Sequence, residues 1–316
     1  MTFSIIIPSY NGAEVLRKSL ATWVHQTLPQ EEYEVIVVDN NSQEDIKAVV
    51  EAYPQPLPEG KGGYVGTNVH YLLETTPGAT AARHRGAKEA QGKYLVFADN
   101  DGLYNPECLA EILKVYEANP QCQAVACKID IQWDGVEPKW IAPYKYLLGQ
   151  LNYGDEVRYS TDFYLNGGIM SVLKSTFERL GGFNPDLVGP YLIGDGDLGF
   201  VRKLHAEKAL IGWTPFAHMW HMQQVNKHGS EAGIALHCYN NGIADSYALY
   251  RAQDFRMTSV MWKYLAIKSA VLIKSGLRYM IHHNRENYFK YRQHLGELRF
   301  FGLLLKPSLR KLIKEK

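Results

Sequence analysis

Cysteine is scarce: Cys108, Cys122, Cys127 and Cys238 are the only four in 316 residues, and none are in C-x-x-C spacing. That is too few for a disulfide scaffold, so a reducing compartment, the cytoplasm, is the expected location. Long apolar runs are missing too. No stretch of about 18 uncharged apolar residues occurs, so no spanning helix is expected. The opening "MTFSIIIPSYNG" has no basic residue ahead of its apolar run, and Pro8 cuts that run short, so a secretory leader is not expected. No internal repeat or low-complexity segment is present. The Gly60–Gly63 stretch "GKGG", in the Pro/Gly-rich segment 54–68, lacks the Walker spacing and reads as a surface loop.

What is present is ordinary for a folded chain, with 46% apolar and 21% charged residues. The net charge of +1 hides an asymmetry. Residues 261–316 carry 13 Lys and Arg against 3 Asp and Glu, leaving 21 against 30 in residues 1–260. An acidic body repels phosphate polymers, so nucleic acid is not an expected partner.

Along the chain, "FSIIIPS" reads as a buried strand ended by a turn. "GAEVLRKSLATWVHQTL" has a helical period, with Val15, Leu16, Leu20, Trp23 and Val24. "YEVIVVDNNS" is a second strand, followed by a helix capped near Ser42. "VHYLLET", the small-faced helix "GATAARHRGAKEA" and the strand "KYLVFADND" continue the alternation. Strand–helix alternation of this kind predicts an α/β fold whose mostly parallel sheet is covered on both faces. Past residue 105 come a helix, the strand "AVACKIDI", an aromatic-rich segment (132–165), a strand and helix around "NGGIMSVLKSTFERLGGF", and the helix opened by "GDGDL". Beyond 231 the pattern is helical.

The strand Tyr94–Ala98 ends in Asp99-Asn100-Asp101. Two carboxylates that close repel each other unless water solvates them or a cation sits between them. In parallel sheets the C-terminal strand ends are where ligands bind, and Asp39 ends another such strand. The plainer reading of each is a solvated or capping turn.

Taken in order, "SIIIPSYNGAEVLRKSL", "VIVVDNNSQED", "GATAARHRGAKEAQGKYLVFADND", "LGGFNPDL" and "GDGDL" resemble the family 2 glycosyltransferases of GT-A fold, over about residues 3–225. The resemblance implies a Rossmann-like GT-A catalytic domain over residues 1–230, and the helical pattern and basic charge beyond it mark 231–316 as a helical, basic extension. The resemblance also implies an inverting, metal-assisted single displacement. A sugar would leave a nucleotide-diphosphate donor, a UDP-sugar being favoured, for a glycan or lipid-linked acceptor in polysaccharide biosynthesis.

Residue by residue, Asp99 and Asp101 match the DxD motif. That motif holds Mg²⁺ or Mn²⁺ against a diphosphate whose charge grows as the glycosidic bond breaks. Asp99 is also placed beside the nucleotide, and His221 in "TPFAHMWHMQQ" is placed on the metal. Pro8, Tyr10, Asn11, Asp39 and Arg83 match nucleoside-lining positions. Asp195 matches the base that deprotonates the acceptor hydroxyl. Asp197 matches a residue at the helix start, and a swap of the two roles is the alternative. Three positions depart from the family pattern: His84 replaces an Asn, Gly102 an acidic residue and Gly194 a Glu. "NGGIM" (Asn166–Met170) resembles the segment beside the acceptor.

A zinc site drawn from His218, His221, His228, His237 and Cys238 is the rival reading of those side chains, although the gaps fit no standard ligand spacing. Two rival functions remain: a nucleotidyltransferase acting on sugar phosphates, or a catalytically silent sugar-nucleotide-binding protein. The segment Ser259–His283 mixes Trp262, Leu265, Leu272, Ile273 and Leu277 with Lys263, Lys268, Lys274 and Arg278. It reads either as a peripheral helix on the anionic inner face of a membrane or as an appendage packed on the protein.

Overall fold

The computed structural model describes residues 1–53, 68–185 and 194–309, and the backbone of 55–56 and 64–65. The "GKGG" loop and the basic end beyond residue 309 lie outside these residues. The chain divides into two compact units: residues 1–132, 149–184 and 196–222 form the first, and 133–148, 185–195 and 223–316 form the second.

In the first unit, β1 (Phe3–Ser9), α1 (Ala13–Trp23), β2 (Tyr33–Asp39), α2 (Ile46–Glu51) and the short pair β3 (Gln55–Pro56) and β4 (Tyr64–Val65) come first. β5 (Val69–Leu73), α3 (Ala79–Glu89), β6 (Tyr94–Ala98), β7 (Gly102–Tyr104), α4 (Cys108–Ala118) and β8 (Cys122–Trp133) follow. The unit closes with β9 (Arg158–Ser160), β10 (Ile169–Leu173), α5 (Lys174–Arg179), α6 (Gly196–Ala206) and β11 (Leu210–Gln223). Among the described residues the main sheet has nine strands in the order β5-β2-β1-β6-β10-β8-β11-β7, with β9 on β11. Strands β5, β2, β1 and β6 run parallel, while β10 is antiparallel to both β6 and β8, and β11 to both β7 and β9.

The parallel strands are apolar runs because both their faces are covered. Alternate side chains sort into two cores. Phe3, Ile5, Ile7, Val35, Val37 and Val96 face α1, α2 and α4 through Leu16, Leu20, Trp23, Val49 and Ile112. Ile6, Ile36, Val38, Leu95 and Phe97 face α3, α5 and α6 through Ala82, Phe177, Phe200 and Leu204. The small face of α3 matters for packing: a Cβ at Gly86 would lie 2.5 Å from Ile6 Cγ2, so only glycine lets this helix sit so close to β1. All four cysteines are buried free thiols.

The second unit holds a short 3₁₀ segment, Ala142–Leu148, and three long helices, α7 (Glu231–Ala252), α8 (Ser259–His282) and α9 (Arg285–Leu304). Each helix begins with a side-chain cap: Ser230, Thr258 and Asn284 accept from Gly233, Met261 and Asn287. Tyr247, Tyr250, Met261, Phe300 and Phe301 form its core. Buried Glu297 accepts from Lys268 Nζ at 2.6 Å and pairs with His294 Nδ1 at 2.9 Å, which ties α8 to α9. No helix among the described residues is long and apolar enough to cross a membrane.

Candidate active site

Parallel pairing sets the position of the first carboxylate. In the β1–β2 register Ser9 lies opposite Asp39, so both sit at the C-terminal edge where β6 runs out into Asp99. Asp39 is buried; its Oδ1 accepts from Ser42 N at 2.9 Å and its Oδ2 from the Tyr71 hydroxyl at 2.9 Å. Burial and this bond push the Tyr71 hydroxyl up to about 12, so it stays a donor. Each Asp39 oxygen thus accepts one bond from the protein, and a carboxylate oxygen can accept two. The two loops at this edge are tied together. Asn11, in the left-handed region at φ 58°, accepts from Gln43 N through Oδ1 (2.9 Å) and donates its own N–H to Ser42 Oγ (2.8 Å). Pro8 lies in β1 just before this loop, and Tyr10 stands exposed on it.

Ser9 also links Asp39 to the second carboxylate group, because Asn100 Nδ2 donates to Ser9 Oγ at 3.2 Å. Around Asp99 the charges crowd. Arg83, buried on α3, donates from Nη2 to Asp99 Oδ1 at 2.8 Å and to the Gly167 carbonyl at 3.2 Å, and its Nη1 lies 4.0 Å from Asp197 Oδ1. Asp101 Oδ1 lies 3.3 Å from His221 Nε2. Protein packed around the Asp99 carboxyl raises its pKa to about 6. Arg83 opposes that rise, Asp101 reinforces it, and His221 and Asp197 act in the same two senses more weakly. Three carboxylates thus face one guanidinium and one imidazole, an excess of negative charge that a cation would relieve.

The turn Asn166-Gly167-Gly168 forms the floor under these groups. Asp99 N donates to the Gly168 carbonyl at 3.1 Å. Asp197 Oδ2 accepts from Gly167 N at 2.7 Å and from the Tyr164 hydroxyl at 3.3 Å, so Asp197 holds this turn as well as beginning α6. Burial and Asp197 push the Tyr164 hydroxyl pKa far up. A Cβ on Gly167 would lie 2.6 Å from Arg83 Nη2, which explains the glycine. Gly102, the departure from the family's acidic residue, has its own cause. A Cβ there would overlap the Tyr104 hydroxyl, which is fixed by bonds to the Asp99 and Gly168 carbonyls, both 2.9 Å. His84, the other departure in this region, donates from Nε2 to the Phe183 carbonyl at 3.1 Å and packs on Phe177.

Pro8, Tyr10, Asn11, Asp39, Arg83, Asp99, Asp101, Asp197 and His221 therefore belong to one unit and, linked through Ser9, Asn100 and the glycine turn, to one end of its sheet. Asp195 is buried and belongs to the second unit. Among the described residues no group of three or more His, Cys, Asp or Glu is arranged to hold a metal. Of the histidines in the zinc reading, His218 pairs with Asp130 at 2.9 Å and His221 with Asp101 at 3.3 Å, each on a different carboxylate. A two-residue set of one carboxylate and one imidazole does fit a cation whose other ligands are diphosphate and water oxygens.

Several residues that shape the site carry no warning in the sequence. Asn40 donates to the Glu74 and Thr76 carbonyls (3.1 and 2.8 Å) and accepts from Gly78 N (2.7 Å), fixing the approach to α3 and hence Arg83. Its place in "DNNS" was the available hint. Tyr104 and Tyr164 offered none. The aromatics of 132–165 divide: Tyr153 stacks on Phe163 at 4.6 Å, and Tyr159 donates to the Val115 carbonyl at 2.8 Å within the first unit, whereas Trp140 and Tyr144 belong to the second.

A half-parallel, half-antiparallel α/β sheet with an acidic cluster past its parallel strand ends defines a nucleotide-sugar transferase fold of GT-A type. Solved structures agree on the fold. A mannosyltransferase from Pyrobaculum calidifontis, solved with GDP-Man and Mn²⁺, superposes with a TM-score of 0.58 at 18% identity over 96% of this chain and 87% of its own. TarS 1–349 of S. aureus, solved with UDP-GlcNAc, gives 0.55 at 17% identity over 95% and 92%. In sequence, the model of glycosyl transferase family 2 matches residues 4–181, more than half of the chain, and the chain belongs to that family. An uncharacterized glycosyltransferase of Haemophilus influenzae is 28% identical over 54% of this chain and 58% of its own length. The poly(ribitol-phosphate) beta-N-acetylglucosaminyltransferase TarS of Staphylococcus aureus is 31% identical over 35% of this chain and 18% of its own. A validoxylamine A glucosyltransferase of Streptomyces hygroscopicus is 25% identical over 73% and 57%. The chain thus spans less than two thirds of these relatives.

Proposed function

We propose that this protein transfers a sugar from a nucleoside-diphosphate donor, a UDP-sugar, to a hydroxyl of a glycan or lipid-linked acceptor, with inversion at the anomeric carbon. The observation that carries the reading is the cluster of Asp99, Asp101, Asp197, Arg83 and His221 beside the strand end that bears Asp39. The UDP-GlcNAc in the TarS structure and the GDP-Man and Mn²⁺ in the mannosyltransferase support the donor class and the metal. Asp39, with Pro8, Tyr10 and Asn11 around it, takes the base and ribose. Asp101 and His221 hold the divalent cation, Mg²⁺ or Mn²⁺, which when bound offsets charge on the leaving diphosphate. Arg83 keeps Asp99 oriented toward the ribose and diphosphate. Asp195 removes the acceptor proton as the hydroxyl attacks the face opposite the leaving group.

The nucleotidyltransferase reading fares worse for a physical reason. Such chemistry would place phosphates on the amides after β1, at the start of α1. Here Gly12 N and Ala13 N donate to Glu44 Oε1 and Oε2 at 3.0 and 2.8 Å, which also holds that carboxyl below its usual range. An internal anion already occupies the spot.

A panel of nucleotide sugars with saccharide acceptors tests the proposal. With the right pair, Asp195→Asn is expected to lower transfer about 10²–10⁴-fold, the range of a lost general base, while UDP binding holds. Undiminished transfer by Asp195→Asn would remove its role, and no transfer from any donor would leave only the silent binding protein.

The tail reading belongs to the same proposal. α8 has no acidic residue, and its outer face shows Trp262 (58% exposed), Ile273 (66%), Leu277, Met280 and Ile281 among Lys263 and Lys274. Apolar side chains ringed by lysines suit the interface of an anionic bilayer. Vesicles containing phosphatidylglycerol are expected to bind the chain, more weakly as salt rises, whereas phosphatidylcholine vesicles bind little. Trp262→Ser with Ile273→Ser should abolish the difference. Equal behaviour of both variants and both lipids would leave α8 a packing appendage.

A further inference from the structure

The second unit has a cleft of its own, of about 920 Å³, formed by Trp140 and Tyr144 from the segment before the 3₁₀ turn and within it, by Glu231 at the start of α7, and by Tyr279, Arg285 and Tyr288 around the α8–α9 corner. That volume is at the upper end of the range of about 300–1,000 Å³ usual for small-molecule sites. Nothing in the donor chemistry uses it.

Four aromatic rings line one cavity without being sealed into a core: Trp140, Tyr144, Tyr279 and Tyr288 are all half-buried. Phe289 backs them from beneath, 6.2 Å from the Trp140 ring and 4.9 Å from that of Tyr144, so two of the rings rest on a fixed support. Tyr279 and Tyr288 stand 5.1 Å apart at 35°. Between the rings sit polar groups that already have partners. Arg285 Nε donates to Glu231 Oε1 at 2.7 Å, and its guanidinium lies 4.9 Å over the Trp140 ring. Glu286 pairs with Lys290 on the same helix.

This pairing decides the ligand class. A sugar ring presents an apolar C–H face, which stacks on an aromatic ring, and an edge of hydroxyls, which bond to oriented carboxylates and guanidinium groups. The charges at the lining are matched in pairs, Arg285 with Glu231 and Glu286 with Lys290, so the cleft carries no surplus charge that would select a polyanion. The volume exceeds that of a single hexose.

We propose that this cleft is a saccharide-binding site that takes a neutral oligosaccharide, holding acceptor glycan apart from the groups that bind the donor. The acceptor role rests on the transferase reading; the saccharide binding does not.

The test uses the whole chain without nucleotide. Neutral gluco-, manno- and N-acetylglucosamine oligosaccharides are titrated by saturation-transfer NMR and by tryptophan fluorescence, with a glycerol-phosphate oligomer as the charged probe. At least one neutral series is expected to bind, to change the fluorescence, and to be indifferent to Mn²⁺, UDP and Asp101→Asn. Trp140→Ala should weaken it about ten-fold or more and remove the fluorescence change. Should Trp140→Ala fold poorly, Glu231→Gln, which alters only an exposed ion pair, should weaken binding several-fold. Binding of no neutral saccharide, binding unaffected by both variants, or preference for the glycerol-phosphate oligomer would each overturn the proposal. Transfer activity without binding here would sink this site alone, and binding without transfer would sink only its acceptor role.

Discussion

Asp101→Asn is expected to lower kcat/KM for sugar transfer about 10³-fold, the scale of roughly 4 kcal/mol of lost transition-state stabilisation. The substitution keeps the shape of the side chain and removes its charge. Among the described residues Asp99 has a partner of fixed opposite charge, Arg83 at 2.8 Å, whereas Asp101 pairs with an imidazole, His221 at 3.3 Å. The loss should fall mostly on the chemical step, because the charge on the diphosphate grows as the sugar leaves. A second effect travels with it. Asp101 is one of the causes that raise the Asp99 pKa, so Asp101→Asn should move the Asp99 titration down from about 6. Steady-state kinetics at saturating metal read the first effect. A loss of less than about ten-fold would mean that Asp101 does not meet the diphosphate.

The largest expected stability change lies in the helices of the second unit. In α9, a Cβ at Gly296 would run into the Tyr239 carbonyl oxygen of α7, and one at Gly242 of α7 into the Gln293 carbonyl oxygen of α9. Both obstacles are backbone, which cannot rotate away, so the two helices would have to separate. Gly296→Val is expected to cost about 3 kcal/mol, the upper end of ordinary overpacking, and to lower the unfolding midpoint of the second unit. Gly302 on the same helix is the control. Among the described residues nothing lies within 4 Å of a Cβ there, so Gly302→Ala should stabilise by about 0.5–1 kcal/mol through helix propensity alone. Urea unfolding followed by circular dichroism reads both. Equal effects at the two glycines would mean that the α7–α9 crossing is not glycine-limited.

The parallel half of the fold could be read from the sequence, because strands covered on both faces have to be continuous apolar runs. "SIIIP", "VIVV" and "YLVFA" say so in their composition, and the carboxylates Asp39 and Asp99 say where the last two end. The antiparallel half was not legible in that way. That β10 inserts between β6 and β8 depends on pairings between residues far apart, such as Met170 with Phe97 and Ala126, and no local pattern encodes them. The segment 133–148 showed the same limit. Its density of aromatics was plain in the sequence, but nothing local said what they pack on, and the structure groups them with the C-terminal helices. In the site, the residue types Asp39, Asp99, Asp101 and His221 were visible as titratable groups at strand ends or in a late strand. Arg83 was visible as a cation on a helix and, through the family resemblance, as a residue near the nucleotide. Its burial and its bridge from Asp99 to Asp197 follow from the close approach of α3 to β1 that Gly86 permits. Asp197 read as a helix start, and its bond to Gly167 N depends on a turn 30 residues away in the chain.

Calorimetric titration of UDP into the chain, with Mn²⁺ and then with EDTA, tests most directly whether a cation and a diphosphate meet at this strand edge. The expected result is UDP binding at least about ten-fold tighter with Mn²⁺, a gain that Asp101→Asn abolishes while metal-free affinity stays the same. Equal UDP affinity with and without the metal, or an Mn²⁺ gain that survives Asp101→Asn, would contradict it.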